Sequence, residues 1–74
     1  MCPLSVMTEG AEVTVARLVG GGESMRRLSE LGLVPGARVR IVQNGGGPLL
    51  LKLGDSRFAL GQGMALKVFV DGNC

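Results

Sequence analysis

The feature that most constrains this sequence is the stretch LSELGLVPGARVRI, residues 28–41, in which a helix end, a turn and a strand follow one another without a linker. Gly32 suits the C′ position of a helix, where the backbone turns left-handed, and it predicts a Schellman motif in which Leu33 packs on Leu28. In Val34-Pro35-Gly36-Ala37, proline and glycine occupy the positions that a type II turn favours. We therefore expect this joint to place a short helix across one end of a small sheet.

The helix before the joint is predicted over residues 23–31. Met25, Leu28 and Leu31 recur at every third residue, which predicts one apolar side turned toward the core. Glu23 lies in the first turn and can reach Arg27 four residues later, but glycines stand where a capping side chain is preferred. A helix of this length does not persist alone, so the core must hold it.

The rest of the chain favours short strands. The 74 residues are 46% hydrophobic and include 13 glycines, a composition typical of a small all-β domain with tight turns. Residues 61–64 predict a brief connection of 3₁₀ type, and residues 1–10 a lead-in. We expect one domain over residues 1–74, mainly β, with one short helix between the first and second strands of a partly open barrel. Five strands are predicted, at 12–19, 38–42, 49–53, 56–60 and 66–70, with Val13, Val15, Val39, Ile41, Leu49, Leu51, Phe58, Leu60, Leu66 and Val68 turned inward.

The ends of the chain carry its two cysteines, Cys2 and Cys74. The first ten residues have no basic region and no stretch is long enough to span a bilayer, so we expect a cytoplasmic protein. In that compartment reduced thiols near frayed ends are favoured. A disulfide between Cys2 and Cys74 remains an alternative if the two ends of the chain meet.

Several chemistries are disfavoured by what the chain lacks. It has no histidine, and its six acidic residues are scattered, so we expect no enzyme, no metal site and no cofactor. Its basic residues lie on separate strands, its net charge is +2 and it has only two phenylalanines, which argues against a nucleic-acid-binding barrel and against an aromatic groove for proline-rich peptides.

Four apolar residues have the wrong strand parity for the core: Leu50, Val42, Phe69 and Met64. Large apolar groups left on a small domain are usually covered by something. The cover is a partner protein, the N-terminal segment at residues 3–7, or a second copy in a weak homo-oligomer, and these alternatives stay open.

The order of motifs resembles the FeoA domain family over nearly the whole chain. The resemblance rests on MRRLSELGL with Pro35-Gly36, on GGP at residues 46–48 and on ALGQGMA at residues 59–65. It implies an SH3-like barrel and a role beside FeoB, the membrane protein with a GTPase domain that moves ferrous iron. FeoA-like domains are also similar to the C-terminal SH3-like domain of metal-dependent repressors, but this chain lacks the helix-turn-helix of a repressor.

The sequence therefore predicts a small cytoplasmic adaptor that acts by contact with the cytoplasmic part of an FeoB-like protein. The alternative is a metal-responsive regulatory module. No nucleic acid and no membrane insertion are expected. The residues expected to contact the partner are the apolar Leu50, Met64 and Phe69 and the basic Arg26 and Arg27.

Overall fold

The computed structural model describes residues 1–72, and in them six strands form one antiparallel sheet. The strand order is β1-β6-β2-β3-β4-β5, so β1 and β5 are its two edges. The predicted partly open barrel agrees with this sheet, which is not closed by pairing of its edges within the described chain. The elements are β1 (Cys2–Pro3), a 3₁₀ helix (Leu4–Val6), β2 (Glu12–Leu18), α1 (Gly22–Glu30), β3 (Arg38–Gln43), β4 (Leu49–Leu53), β5 (Ser56–Leu60), α2 (Gln62–Ala65) and β6 (Val68–Asp71).

The joint after α1 forms as predicted. The backbone N–H of Leu33 donates to the Leu28 carbonyl at 3.0 Å, and that of Gly32 donates to Ser29 at 2.9 Å. These are the two hydrogen bonds of a Schellman motif, and Gly32 has the left-handed φ of +89° that the motif requires. Leu28 and Leu33 are both fully buried. The helix end is thus closed by local backbone hydrogen bonds, and both leucines belong to the buried core.

The turn that follows also matches its prediction. The backbone N–H of Ala37 donates to the Val34 carbonyl at 2.9 Å, and Gly36 has a φ of +94°. Gly36 then donates to the Val15 carbonyl at 2.8 Å, so the turn is fastened directly to β2. This bond is why the chain can enter β3 at Arg38 beside β2 without a linker.

The predicted apolar side of α1 is only partly correct. Leu28 is fully buried, but Met25 and Leu31 are 36% and 37% exposed. A helix turns about 100° per residue, so a three-residue step leaves each residue about 60° away from the previous one. Leu28 points into the barrel end, and its two predicted companions lie at the margins. The N-terminus has no side-chain cap, as the glycines predicted.

The lead-in is part of the fold, which the sequence did not predict. Cys2 in β1 pairs with Val70 of β6, and both Cys2 and Leu4 are fully buried. A two-residue strand is too short to display an alternating pattern. The expectation of a frayed end with a reduced thiol is wrong for Cys2, which is disulfide-bonded. The expectation for Cys74 lies outside the described residues.

A hydrogen-bonded latch holds the lead-in against the loop after β3. Asn44 Nδ2 donates to the carbonyls of Ser5 at 3.1 Å and Met7 at 2.8 Å. Gln62 Nε2 of α2 donates to Asn44 Oδ1 at 3.3 Å and to the Gly47 carbonyl at 2.8 Å. The latch therefore joins the lead-in, the β3–β4 loop and α2 through two amide side chains.

The connection after β5 differs from its prediction. It forms a single α-helical turn, α2, and not a 3₁₀ connection. Ala65 is fully buried, whereas Leu66, predicted to face inward, is 55% exposed. The helix carries the chain past Leu66 before β6 begins at Val68, so the strand alternation does not reach that residue. Of the other residues predicted to face inward, Phe58 is half-buried and the remainder are buried, namely Val13, Val15, Val39, Ile41, Leu49, Leu51, Leu60 and Val68.

None of the helices in residues 1–72 has the length and apolarity needed to cross a membrane.

Candidate partner-binding surface

The outer face of the sheet carries a row of basic side chains. Residues that alternate with the buried ones point outward, and the register places Arg40 beside Lys52 and Lys52 beside Arg57. We call Arg40, Lys52 and Arg57 the basic row, which crosses β3, β4 and β5. All three are exposed. From the sequence they are expected to be dispersed, since each is on a different strand. The register of the strands brings them together.

A shallow groove of about 370 Å³ lies along part of this row, lined by Arg40, Lys52, Arg38, Glu12 and Gly54. Glu12 is the acidic residue of the groove, and its Oε1 accepts a hydrogen bond from Arg38 Nη2 at 2.9 Å. The other ion pair found in residues 1–72 is on α1. The basic row is therefore left without a carboxylate partner in the described part of the chain, and the groove is net positive.

The two arginines predicted to contact a partner lie on α1 and are exposed. Arg26 Nη1 lies 4.0 Å from Glu30 Oε2, and the Arg26 side chain remains 68% exposed. The expected ion pair between Glu23 and Arg27 does not form in residues 1–72. Exposed ion pairs of this kind contribute little to stability, so neither arginine is needed to hold the domain together.

The three apolar residues predicted to contact a partner are all half-buried. Leu50 lies on the outer face of β4, beside Gln43 and Ala59. Phe69 lies on β6, and β2 and β3 separate it from β4. At about 4.8 Å per strand the separation across the sheet is about 14 Å, so Leu50 and Phe69 do not form one patch.

The N-terminal segment covers part of this set. Pro3 pairs with Phe69 across β1 and β6, and the guanidinium of Arg17 lies 5.8 Å from the centre of the Phe69 ring. The 3₁₀ helix contacts α2, which carries Met64. Of the three alternative covers that the sequence predicts, the segment at residues 3–7 lies beside Phe69 and beside the helix that carries Met64. Leu50 lies on β4, near the other end of the strand order.

The most exposed large apolar side chains are different ones. Among the described residues they lie in helices, turns and the chain end, where strand parity gives no information: Met1 at 64%, Val6 and Leu66 at 55%, Val34 at 41%, Leu31 at 37% and Met25 at 36%. Three of them, Leu66, Met25 and Leu31, were predicted to face the core, and strand alternation gives no information on the other three.

The described residues contain no group of three or more histidine, cysteine, aspartate or glutamate side chains placed to hold a metal ion. What the surface offers is cationic side chains and half-buried apolar ones. Such an arrangement can bind another molecule by charge and by apolar contact.

Comparison with known proteins gives a consistent result. The model of the family described as FeoA domain matches residues 2–72. A protein of Methanocaldococcus jannaschii, described as a candidate Fe(2+) transport protein A, is 34% identical over 71 residues, which cover 96% of this chain and 87% of that protein.

Solved structures with the same fold include a crystal structure of an iron uptake regulatory protein (FeoA), with a TM-score of 0.88, 36% identity and 92% of each chain covered. The FeoA of Stenotrophomonas maltophilia complexed with zinc, described as a prokaryotic SH3 domain protein, has a TM-score of 0.81 and 38% identity, covering 92% of this chain and 87% of that one. The expected SH3-like fold is thereby confirmed.

A manganese-dependent transcriptional repressor also matches, with a TM-score of 0.84 at 21% identity. The match covers 92% of this chain but 39% of the repressor chain. At this identity the likeness concerns the fold alone.

Proposed function

The chain belongs to the FeoA domain family, and on that premise we propose that it is a non-enzymatic adaptor in ferrous-iron uptake, which binds the cytoplasmic part of an FeoB-like membrane protein. The observation that carries this proposal is the family match over residues 2–72, supported by the 34% identity to a candidate Fe(2+) transport protein A. A location in the cytoplasm is part of the same proposal.

An adaptor is favoured over an iron carrier by the donor set. Iron sites in proteins are usually built from clustered histidine and carboxylate ligands. This chain has no histidine, and residues 1–72 contain no cluster of suitable donors. The exposed charges and apolar groups are better suited to contact with another protein, so we place the function on the surface of the domain.

In this proposal Leu50, Met64 and Phe69 supply apolar contacts, and Arg26 and Arg27 attract an acidic surface. Leu50 is the preferred anchor, because the N-terminal segment already packs beside Phe69 and against α2. A partner that contacts both Leu50 and Phe69 must follow the curvature of the barrel, since they are separated by two strands.

The test is a pull-down of the cytoplasmic domain of an FeoB-like protein by Leu50→Asp and Arg26→Glu variants. Leu50→Asp introduces a charge into the apolar contact, and Arg26→Glu reverses a steering charge. We expect each variant to reduce capture by about tenfold, the effect of losing roughly 1.4 kcal/mol of binding free energy. The matched control is Val6→Asp, which adds a carboxylate at another exposed apolar residue.

Capture by both variants at the level of the unsubstituted protein would contradict the proposed contact residues. The rival reading, a metal-responsive regulatory module, has its own measurement. Tight and stoichiometric uptake of Fe²⁺ or Zn²⁺ in a titration followed by spectroscopy would favour that module over the adaptor.

A further inference from the structure

We propose that the free edge of β5, together with the basic row beside it, binds an extended acidic segment of a partner protein as an added β-strand. This goes beyond the adaptor role, because it assigns a different set of residues and holds whichever protein supplies the segment.

The first support is the unpaired backbone of β5. In residues 1–72, β5 pairs with β4 alone, and no backbone hydrogen bond outside that ladder involves its residues. The two strands are joined by a two-residue turn at Gly54 and Asp55, where Gly54 has a φ of +61° and Leu53 pairs with Ser56. The pair that flanks such a turn exchanges both of its hydrogen bonds.

The alternation that follows from this turn identifies the free groups. Ser56, Phe58 and Leu60 direct their backbone groups toward β4, so Arg57 and Ala59 direct theirs to the open edge. Unpaired edge groups of this kind are a template for another strand, unless something covers or blocks them. The exposure of both residues is consistent with an open edge.

The second support is the charge next to that edge. The side chain of Arg57 lies on the outer face, with Lys52 beside it on β4 and Arg40 beyond on β3. A residue of an added strand would stand about 5 Å from Arg57 across the new pair, close enough for a favourable opposite-charge contact. Its acidic side chains, which recur at every second residue, would all lie on the face that carries the basic row.

A second copy of the chain fits this edge poorly. Two β5 strands paired about a twofold axis would bring the Arg57 side chains of both copies to the same face, next to two copies of Lys52. Like charges on neighbouring strands are destabilising, and basic residues at edges are a known protection against self-pairing. The same charges that disfavour a second copy select an acidic strand.

Nucleic acid fits less well than an acidic peptide. Barrels that bind single strands stack bases on aromatic side chains. The residues that follow the basic row on the outer face are Leu50 and Ala59, and Phe69 is on β6, with β2 and β3 between it and β4. The row offers charge without a stacking platform.

The experiment is an NMR titration of the full chain with a short capped peptide in which glutamate and valine alternate. Peptide binding should protect the amide protons of Arg57 and Ala59 from exchange, because these are the free edge donors. Arg57→Glu should weaken binding by about tenfold, since it replaces an attractive contact by a repulsive one. The matched control is Arg17→Glu, an identical charge change at an exposed position on β2, which β3 and β4 separate from β5, and it should leave the affinity unchanged.

Two further probes separate strand addition from simple charge attraction. The same peptide carrying N-methyl groups on the amides of both edges has no backbone donor left to pair with β5, and single-stranded DNA is a polyanion without a pairing edge. We expect both to leave the Arg57 and Ala59 amides unprotected. The proposal is overturned by absence of binding at about millimolar peptide, by equal binding of the methylated peptide, or by equal protection with DNA. None of these outcomes depends on the FeoB-like partner.

Discussion

At position 44 one amide side chain links segments that are far apart in the sequence. Asn44 donates to two carbonyls of the lead-in and accepts from Gln62 of α2. Backbone carbonyls beside the core cost free energy when they lose their donors, and asparagine can donate twice and accept at the same time. In sequence Asn44 looks like part of a glycine-rich turn, and its role depends on partners about 40 residues away.

Asn44→Ala should lower the free energy of unfolding by about 1–3 kcal/mol, because the acceptors on Ser5 and Met7 lose their donor. Urea denaturation measures the change. The control is Gln43→Ala, at a neighbouring exposed position whose side chain makes no hydrogen bond within residues 1–72, and it should stay within about 0.5 kcal/mol of the unsubstituted protein. Equal effects of the two substitutions would show that the latch is not what holds the lead-in.

Helix α1 packs against the core mainly through one side chain. Leu28 is fully buried in the end of the barrel, while Met25 and Leu31 remain more than a third exposed. The N-terminus of the helix is held from outside, where Lys67 Nζ donates to Ser24 Oγ at 2.9 Å. Near its C-terminus, a Cβ placed on Gly32 would lie 3.1 Å from Leu53 Cδ2, so the helix end fits closely against β4.

Leu28→Ala should therefore cost about 2–5 kcal/mol of unfolding free energy, the range for removing a buried leucine side chain, and should lower the melting temperature. Met25→Ala, at a marginal position of the same helix, should cost less than about 1 kcal/mol. Thermal unfolding followed by circular dichroism distinguishes the two. If Met25→Ala were as damaging as Leu28→Ala, the buried face of α1 would have to be the wider one that the sequence predicted.

Over the whole molecule, charge is distributed unevenly although the net charge is only +2. Arg38 and Arg26 each have a carboxylate partner, whereas Arg40, Lys52 and Arg57 stand side by side without one in residues 1–72. Neighbouring like charges on adjacent strands destabilise a sheet. Their repulsion lowers the stability of the domain, and the acidic strand proposed above would relieve it.

Lys52→Glu places a carboxylate between two arginines and should raise the unfolding free energy by roughly 0.5–1 kcal/mol in low salt. The gain should shrink as salt is added, because all three side chains are exposed. Chemical denaturation at two salt concentrations measures both effects. Lys52→Gln, which removes the charge without reversing it, should give a smaller gain. A loss of stability in Lys52→Glu at low salt would mean that the basic row carries no repulsion.

Short-range rules account for what could be predicted. The Schellman motif at Gly32 and the turn at Pro35-Gly36 depend on the conformations of adjacent residues, so they can be read in sequence and both are confirmed. The strands β2 to β5 followed from the alternation of side chains with their neighbours, and the motifs at residues 26–36 and 59–65 predicted the family that the comparisons identified. For the candidate surface, the exposure of Arg26 and Arg27 was accessible in the same way.

The remaining features of the fold and of the candidate surface were decided by the tertiary structure alone. These features depend on which distant segments of the chain meet. Strand register assembled the basic row, and the free edge of β5 follows from the strand order. The burial of Leu4 and the latch at Asn44 depend on the lead-in returning to the barrel, and the exposure of Leu66 depends on where α2 ends. A sequence pattern reports only how far apart residues are along the chain. A binding surface depends on how far apart they are in space, across neighbouring strands and segments of the folded chain.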